Sequence, residues 1–278
     1  MRSGFATLLG RPNVGKSTLL NHILGTKVSI VSNKVQTTRH AVRGVLTRPD
    51  AQIVFVDTPG IHKPRTRLGT RLNATAQDAL DGVDVVCLVL DATAPFGDGD
   101  RFVAGLTPAD ALVVVNKIDR ASKDQVITQL AAAGSLERAD YFPVSARTGE
   151  GVDVLVDAIA QRLPEGPLLY PADQISDTTE EHWAAELVRE QLLAILREEL
   201  PHSVTCRVVD WDWPVVKIEI LVERDSQKGI VIGKGGSVLK AVGIAVREQL
   251  PKGVFLELFV KVDKDWQRRP KALERLGY

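Results

Sequence analysis

Between the apolar run FATLL and the helix-like STLLNHIL lies GRPNVGKST, Gly10 to Thr18. A loop of the form G-x-x-x-x-G-K-[ST] in that setting narrows the choice of fold more than any other feature of this chain. Its glycines let successive backbone N–H groups turn inward around a phosphate at a helix N-terminus. Such a loop needs a strand to deliver it to the carboxyl edge of a sheet, and the sequence supplies further strands. The runs IVFVD, VVCLVLD, ALVVVNKID and YFPVSA are each followed by turn chemistry and a helical pattern, up to about Leu163. This rhythm predicts an α/β domain with a mostly parallel sheet, helices on both faces and ligands at the strand ends.

The ends of those runs carry the expected chemistry. In the loop Gly10, Arg11, Pro12, Asn13, Val14, Gly15, Lys16, Ser17 and Thr18, the lysine reaches the β- and γ-phosphates and the Ser17 hydroxyl goes to Mg²⁺. NKID places Asn116, Lys117 and Asp119 at a strand end, where an aspartate accepts both hydrogens of the guanine N1/N2 edge. Adenine would leave that carboxylate unpaired, a mismatch worth roughly four orders of magnitude in selectivity. VDTPG brings Asp57 toward Mg²⁺ through water, then Thr58, Pro59 and Gly60, whose N–H meets the γ-phosphate. Gln36, Thr37, Thr38, Arg39 and His40 form a candidate switch, in which a threonine hydroxyl caps Mg²⁺ only while the γ-phosphate is present. Thr38 is taken as that ligand, with Thr37 the alternative. Ser145 and Ala146 of VSA put backbone groups on the guanine carbonyl.

PEGPLLYPADQISDTT, with three prolines and little periodicity, reads as a stiffened linker that restricts the relative orientation of two domains. The expected boundaries are 1–165 for the nucleotide domain, 166–180 for the linker and 181–278 for the second domain. In the second domain HWAAELVREQLLAILREEL places Val188, Leu192, Ile195 and Leu196 on one helical face, and the elements then run α-β-β-α-α-β. A second glycine-lysine cluster, Gly233, Lys234, Gly235 and Gly236, lacks the G-K-[ST] ending and joins two helices. A helix-G-x-x-G-helix unit with flanking strands is the clamp of a type II KH domain. Its turn grips a sugar-phosphate chain while single-stranded bases lie in an apolar groove. Ile230, Ile232 and Val238 are groove candidates, and Lys234 and Lys240 add charge.

Composition enters as a limit. Lys+Arg and Asp+Glu both total 35, so any RNA surface on this neutral chain must be local. Lys261, Lys264, Arg268, Arg269 and Lys271, set against Asp263 and Asp265, form one candidate patch. Cys87 and Cys206 lie in apolar runs and read as core thiols of a reducing cytoplasm. MRSGFATLLG is too short for a signal peptide's apolar region, and no stretch is expected to reach membrane-span length. The expected location is the cytoplasm, with peripheral contact at the inner face of the membrane left open. An RNA-modifying enzyme is disfavoured because the C-terminal half shows no cysteine–histidine or clustered carboxylate set. A membrane-surface GTPase using its KH-like domain and basic tail for protein or lipid contact remains the alternative.

GRPNVGKS, QTTRH, DTPG, NKID and VSA, in this order, resemble the guanine-nucleotide motifs of the Era-type ribosome-assembly GTPases, in the TrmE/Era/Der superfamily. The ending VKVDKDWQRRPKALERLGY extends the likeness to almost the whole chain. The resemblance implies a monomeric GTP/GDP switch with Mg²⁺. It also implies that the switch binds single-stranded RNA near the 3′ end of 16S rRNA and assists maturation of the 30S ribosomal subunit. Its catalytic set maps to Lys16, Asn13, Thr38 and Gly60, with Asn13 as a K⁺ ligand where other GTPases use an arginine finger. Ile61 stands where Ras-like GTPases carry a water-orienting glutamine, which implies slow intrinsic hydrolysis stimulated by K⁺. His40 and His62 are read as solvated loop residues without a catalytic role, because phosphoryl transfer to water needs mainly positioning and charge stabilisation.

Overall fold

The apolar runs of the N-terminal half become strands of one sheet. The computed structural model describes residues 1–64 and 66–278. Its chain divides into two compact units. The first holds most of Met1–Asp177, and the second holds Thr178–Tyr278 with Ser32–Thr37 and Thr66–Leu68.

In the first unit β1 (Arg2–Gly10), β2 (Val42–Thr47), β3 (Ala51–Asp57), β4 (Val85–Asp91), β5 (Leu112–Asn116) and β6 (Tyr141–Pro143) form a sheet of order β2-β3-β1-β4-β5-β6. All pairings are parallel except that of β2 with β3. The intervening helices are α1 (Lys16–Leu24), α2 (Arg67–Asp78), α3 (Asp98–Ala104), α4 (Lys123–Gly134) and α5 (Val152–Arg162). Leu8, Phe55, Cys87 and Val114 pack against Leu19 and Leu20 of α1 and Leu155 and Ile159 of α5. On the opposite face Leu9, Leu88 and Val113 meet Val103 of α3 and Ala133 of α4. Burial on both faces explains why the inner strands read as continuous apolar runs. Burial also pushes the Cys87 thiol up to about 12, so it behaves as a small core hydrophobe. Because β1 is flanked by β3 and β4, the chain leaves it in opposite directions. The phosphate loop lies at that switch point, at the carboxyl edge.

Strand β2 joins the five runs read from the sequence. VRGVLT is an edge strand whose arginine and glycine interrupt any apolar signal. Its free edge is occupied by the segment expected to be linker: Val45 N–H donates to the Ile175 carbonyl at 2.8 Å, and Gly44 bridges Ser176. The Gln52 side chain is fully buried. Its Oε1 accepts from Leu169 N–H at 2.7 Å and Tyr170 N–H at 3.0 Å, and its Nε2 donates to the Tyr170 carbonyl at 2.9 Å. An open sheet edge and a buried amide both need partners, and the proline-rich strap satisfies them.

The second unit runs α6 (Glu180–Ile195), α7 (Leu200–Ser203), β7 (Thr205–Asp212), β8 (Val215–Val222), α8 (Asp225–Ile232), α9 (Ser237–Arg247), β9 (Phe255–Val262) and α10 (Pro270–Arg275). Thr179 caps α6 by accepting from His182 N–H at 3.2 Å. The sheet order is β7-β8-β9, with β7 antiparallel and β9 parallel to β8. A parallel pair requires a crossover, which α8 and α9 provide, and this gives the type II KH arrangement. Leu187, Val188 and Leu192 of α6 pack with Ile218 and Ile220 of β8 and with Val242 and Val246 of α9. Ile195, expected on that face, is 41% exposed at the helix end, and Leu196 beyond it is buried instead.

Two expectations about the second unit change. Asp225–Arg247 does reach the length and mean hydropathy (1.5) of a membrane span, with only 17% of that window buried. The chain breaks there at Gly233–Gly236, where Gly233, Gly235 and Gly236 take φ of 76°, 60° and 79°, leaving helices of 8 and 11 residues. The basic tail is also less positive than its sequence, since Arg269 and Arg275 both pair with Asp263, and Lys261 lies 3.5 Å from Glu219. Trp266 is interior: its Nε1–H donates to the Ser203 carbonyl at 3.0 Å and its ring stacks on Tyr278.

Candidate functional site

Helix α1 starts without help from side chains. Its N-cap, Gly15, sits at φ 100°, no side chain caps the first turn, and no acidic residue lies within it. The open N–H groups and the helix dipole therefore favour an anion. Lys16 is 6% exposed and donates to the carbonyls of Gly10 at 3.3 Å and Arg11 at 3.2 Å. Burial lowers its pKa to about 8, against the pull of Asp57. A buried cation at an uncapped helix start matches the charge of a polyphosphate.

Three hydroxyls converge on Asp57, which is fully buried at the end of β3. Its Oδ2 accepts from Ser17 Oγ at 2.6 Å, Ser29 Oγ at 2.9 Å and Thr38 Oγ1 at 3.4 Å, while Ser17 and Thr38 lie 3.0 Å apart. Its Oδ1 is buried without a hydrogen-bond partner. Burial raises the Asp57 pKa, with Lys16 and then the hydroxyls acting to lower it. Clustered hard oxygens and an orphaned carboxylate oxygen fit Mg²⁺. Thr37 is turned elsewhere: its hydroxyl donates to the Lys34 carbonyl at 2.7 Å and lies 3.0 Å from Ser32 Oγ. Sequence reasoning missed Ser29, which no motif marks.

Gly60 has a steric reason. A Cβ there would lie 2.7 Å from both N and Cα of Pro12, so only glycine brings DTPG against the phosphate loop. Thr58 is spent internally, donating to the Leu8 carbonyl at 2.8 Å. Ile61 is 2% exposed within the core, so it has no water-orienting role. Asn73 brackets the His62 backbone, and His62 Nδ1 lies 3.2 Å from the Gly60 carbonyl oxygen.

At the base end the expected residues meet but divide the work. Asn116, 1% exposed, donates to the Val14 carbonyl at 2.9 Å and accepts from Lys117 N–H at 2.7 Å and Ala146 N–H at 2.9 Å. Its amide thus ties β5 to the phosphate loop and the β6 loop. Lys117, at φ 70°, reaches the Asn13 carbonyl at 2.6 Å and Asp91 at 2.5 Å. Asp91 was missed. Burial works against its ionisation, but bonds from Lys117 and Thr93 hold its pKa below the ordinary value. Asp119 is exposed and steadied by Ser145 Oγ at 2.8 Å, which leaves it the group placed to read a base edge. Arg11 pairs with buried Asp100 at 3.0 Å, and Asn13 is exposed at φ 64°.

In the second unit Lys234 of the GKGG turn and Lys240 of α9 are exposed to solvent. A Cβ on Gly233 would lie 2.6 Å from Val238 Cγ2, so the helix start fixes that glycine. Among the apolar candidates Ile230 is 55% exposed, whereas Ile232 and Val238 pack partly against the core. Ile244 on α9, 45% exposed, was missed because its helical pattern reads as core.

Residues 5–117 match the 50S ribosome-binding GTPase family, and residues 199–267 match the KH domain family. The GTPase Era of Mycobacterium sp. strain JLS is 49% identical, with 100% of this chain and 99% of that protein aligned. For GTPase Era of Mycobacterium tuberculosis strain ATCC 25177 / H37Ra the identity is 47%, over 99% of this chain and 98% of that one. Among solved structures, Era in complex with MgGDPNP and nucleotides 1506-1542 of 16S ribosomal RNA matches with a TM-score of 0.95 at 39% identity, covering 100% of this chain and 99% of that one. A variant of Aquifex aeolicus Era bound to GDP·AlF4⁻ matches with a TM-score of 0.94, also at 39% identity over 100% and 99% of the two chains. With this identity along its whole length and both domains present, the chain belongs to the Era GTPase family and is a GTPase with a C-terminal KH domain.

Proposed function

We propose that the chain is a guanine-nucleotide switch that binds a single-stranded segment near the 3′ end of 16S rRNA and assists assembly of the 30S subunit. The observation that carries this reading is the relative solved with MgGDPNP and nucleotides 1506-1542 of 16S rRNA, which matches this chain from end to end. The GKGG turn with exposed Lys234, and the flanking helices with exposed Ile230, Lys240 and Ile244, have the chemistry to hold such a strand.

In hydrolysis Lys16 and the α1 N-terminus take the phosphate charge, and the Gly60 N–H faces the γ-phosphate. Ser17 and Thr38, with Asp57 behind, would hold Mg²⁺, which supplies neutralisation of charge on the β- and γ-oxygens. Ile61 cannot take the glutamine's place, because it lies in the core. Asn13, exposed on the loop, is our candidate ligand for a K⁺ ion that replaces an arginine finger. Equal hydrolysis rates in KCl and NaCl at matched ionic strength would remove that role. The RNA reading is tested by anisotropy titration of an RNA matching nucleotides 1506–1542 against a scrambled RNA of the same composition. Tighter binding to the first is expected, and equal affinities would contradict it.

A further inference from the structure

Ser29 is a buried hydroxyl, 2% exposed, that none of the nucleotide motifs contains. It lies in the segment that leaves α1, and the helix itself pins that segment. Asn21 stands one turn beyond Ser17, so the two side chains share a face of α1. Asn21 Oδ1 accepts from the backbone N–H groups of Val28 at 2.9 Å and Ser29 at 3.0 Å, and its Nδ2 donates to the Ser29 carbonyl at 2.7 Å. One amide thus holds both polar groups of the Ser29 backbone. The position of the Ser29 hydroxyl is set by α1.

That position is beside Asp57. Ser29 Oγ donates to Oδ2 at 2.9 Å, next to Ser17 Oγ at 2.6 Å and Thr38 Oγ1 at 3.4 Å. One carboxylate oxygen offers about two acceptor sites, so the two serines fill them and the threonine is the loosest of the three. Ser17 and Thr38 are the hydroxyls assigned to Mg²⁺ above. Ser29 differs from both, because it comes from neither the phosphate loop nor the candidate switch, and its backbone is fixed by α1 rather than by a ligand. A fixed donor on Oδ2 sets the carboxylate plane and leaves the buried, unpartnered Oδ1 as the oxygen for a metal-bound water.

We propose that Ser29, pinned by Asn21, is a positioning residue for the Mg²⁺ site: it anchors Oδ2 of Asp57 and so keeps Oδ1 for the ion's water in every nucleotide state. The proposal rests on the nucleotide-switch reading above and adds a division of labour to it. Thr38 serves the ion with GTP alone, whereas Ser29 serves it with GDP and GTP alike.

The test uses the full chain and reads binding rather than turnover. Mg²⁺ is titrated against the affinity for fluorescent GDP and for a fluorescent non-hydrolysable GTP analogue. In Ser29→Ala the Mg²⁺ concentration that gives half of the metal's effect should rise about tenfold or more with both nucleotides, the usual consequence of losing a group that orients a metal's ligand. Affinity in excess EDTA should stay within about twofold of the parent. Ser29→Cys, which keeps the side chain's size with a weaker donor, should fall between the two. Asn21→Ala should shift the Mg²⁺ midpoint in the same direction, and adding Ser29→Ala to it should cost less than in the parent, because both residues act through one hydrogen bond. A folded Ser29→Ala with an unchanged midpoint overturns the proposal. An equal loss with Mg²⁺ and in EDTA, the mark of a merely structural role, overturns it too, as does a shift confined to the GTP analogue. If no variant folds, amide exchange on the parent decides. Val28 and Ser29 should already be protected without nucleotide and stay so with Mg²⁺·GDP, and protection that arises only on nucleotide binding overturns the anchor. Failure of the switch reading looks different, as parent protein whose affinity for both nucleotides is indifferent to Mg²⁺.

Discussion

The side-chain amide of Asn116 donates to the backbone carbonyl of Val14 at 2.9 Å, across 102 positions of sequence. A Cβ on Gly15 would lie 2.3 Å from that amide nitrogen, so the glycine and the asparagine form one joint. Asn116→Ala removes the acceptor for two N–H groups and the donor to a third group, all near-buried. We expect a loss of about 2–3 kcal/mol in affinity, for GDP and GTP alike. Titration with both fluorescent nucleotides checks this, and a loss confined to one of them would contradict the bracing role.

We propose Asp119 as the group that reads the guanine edge. Replacing its carboxylate by an amide, Asp119→Asn, puts a donor opposite the guanine amino group and suits the C2 carbonyl of xanthine instead. Competition binding should show GTP affinity falling by about two orders of magnitude or more, with XTP overtaking it. A uniform loss of both would mean that Asp119 supports the site without reading the base.

Nucleotide binding should be proton-linked through Lys16. Its pKa falls from 10.5 to about 8 on folding, so between those values the unfolded chain binds more protons than the folded one. Stability of the nucleotide-free protein should therefore rise with pH across that window, by an amount of order 3 kcal/mol at 1.36 kcal/mol per unit. GDP, bringing negative charge, favours the protonated lysine. At about pH 8.5, calorimetry in buffers of different ionisation enthalpy should show proton uptake on GDP binding, and affinity should weaken above it. Zero uptake would contradict the buried, depressed lysine.

Trp266 anchors the tail. Trp266→Ala should cost about 3–5 kcal/mol of KH-unit stability, read by urea denaturation. A cost below about 1 kcal/mol would put the ring at the surface rather than between Ser203 and Tyr278.

What the sequence reveals depends on how local the physics is. Loop-lysine-hydroxyl, strand-end carboxylate and GKGG are contiguous, so Lys16, Asp57, Asp119 and Gly233 can be found by spacing alone. Parallel and KH sheets follow from the order of elements for the same reason. Ser29 and Asp91 meet the site through partners 28 and 26 positions away, and nothing beside them in sequence announces it. The proline-rich strap looks like a linker because its partners, Gln52 and the edge of β2, lie more than a hundred residues earlier. Trp266 and the tail arginines suggest a surface patch until Ser203 and Asp263 are found opposite them.

On the function proposed above, the two glycine-lysine turns grip different phosphates, GRPNVGKS those of a nucleotide and GKGG those of RNA. Gly235 sits at φ 60° with open space where a Cβ would point, a conformation aspartate tolerates, so Lys234→Asp with Gly235→Asp reverses the turn's charge with little strain. The decisive measurement is RNA and GDP affinity on one preparation of that double variant. RNA binding should weaken by about a hundredfold or more while GDP affinity stays within about twofold of the parent. Loss of GDP binding with RNA binding retained would contradict the account.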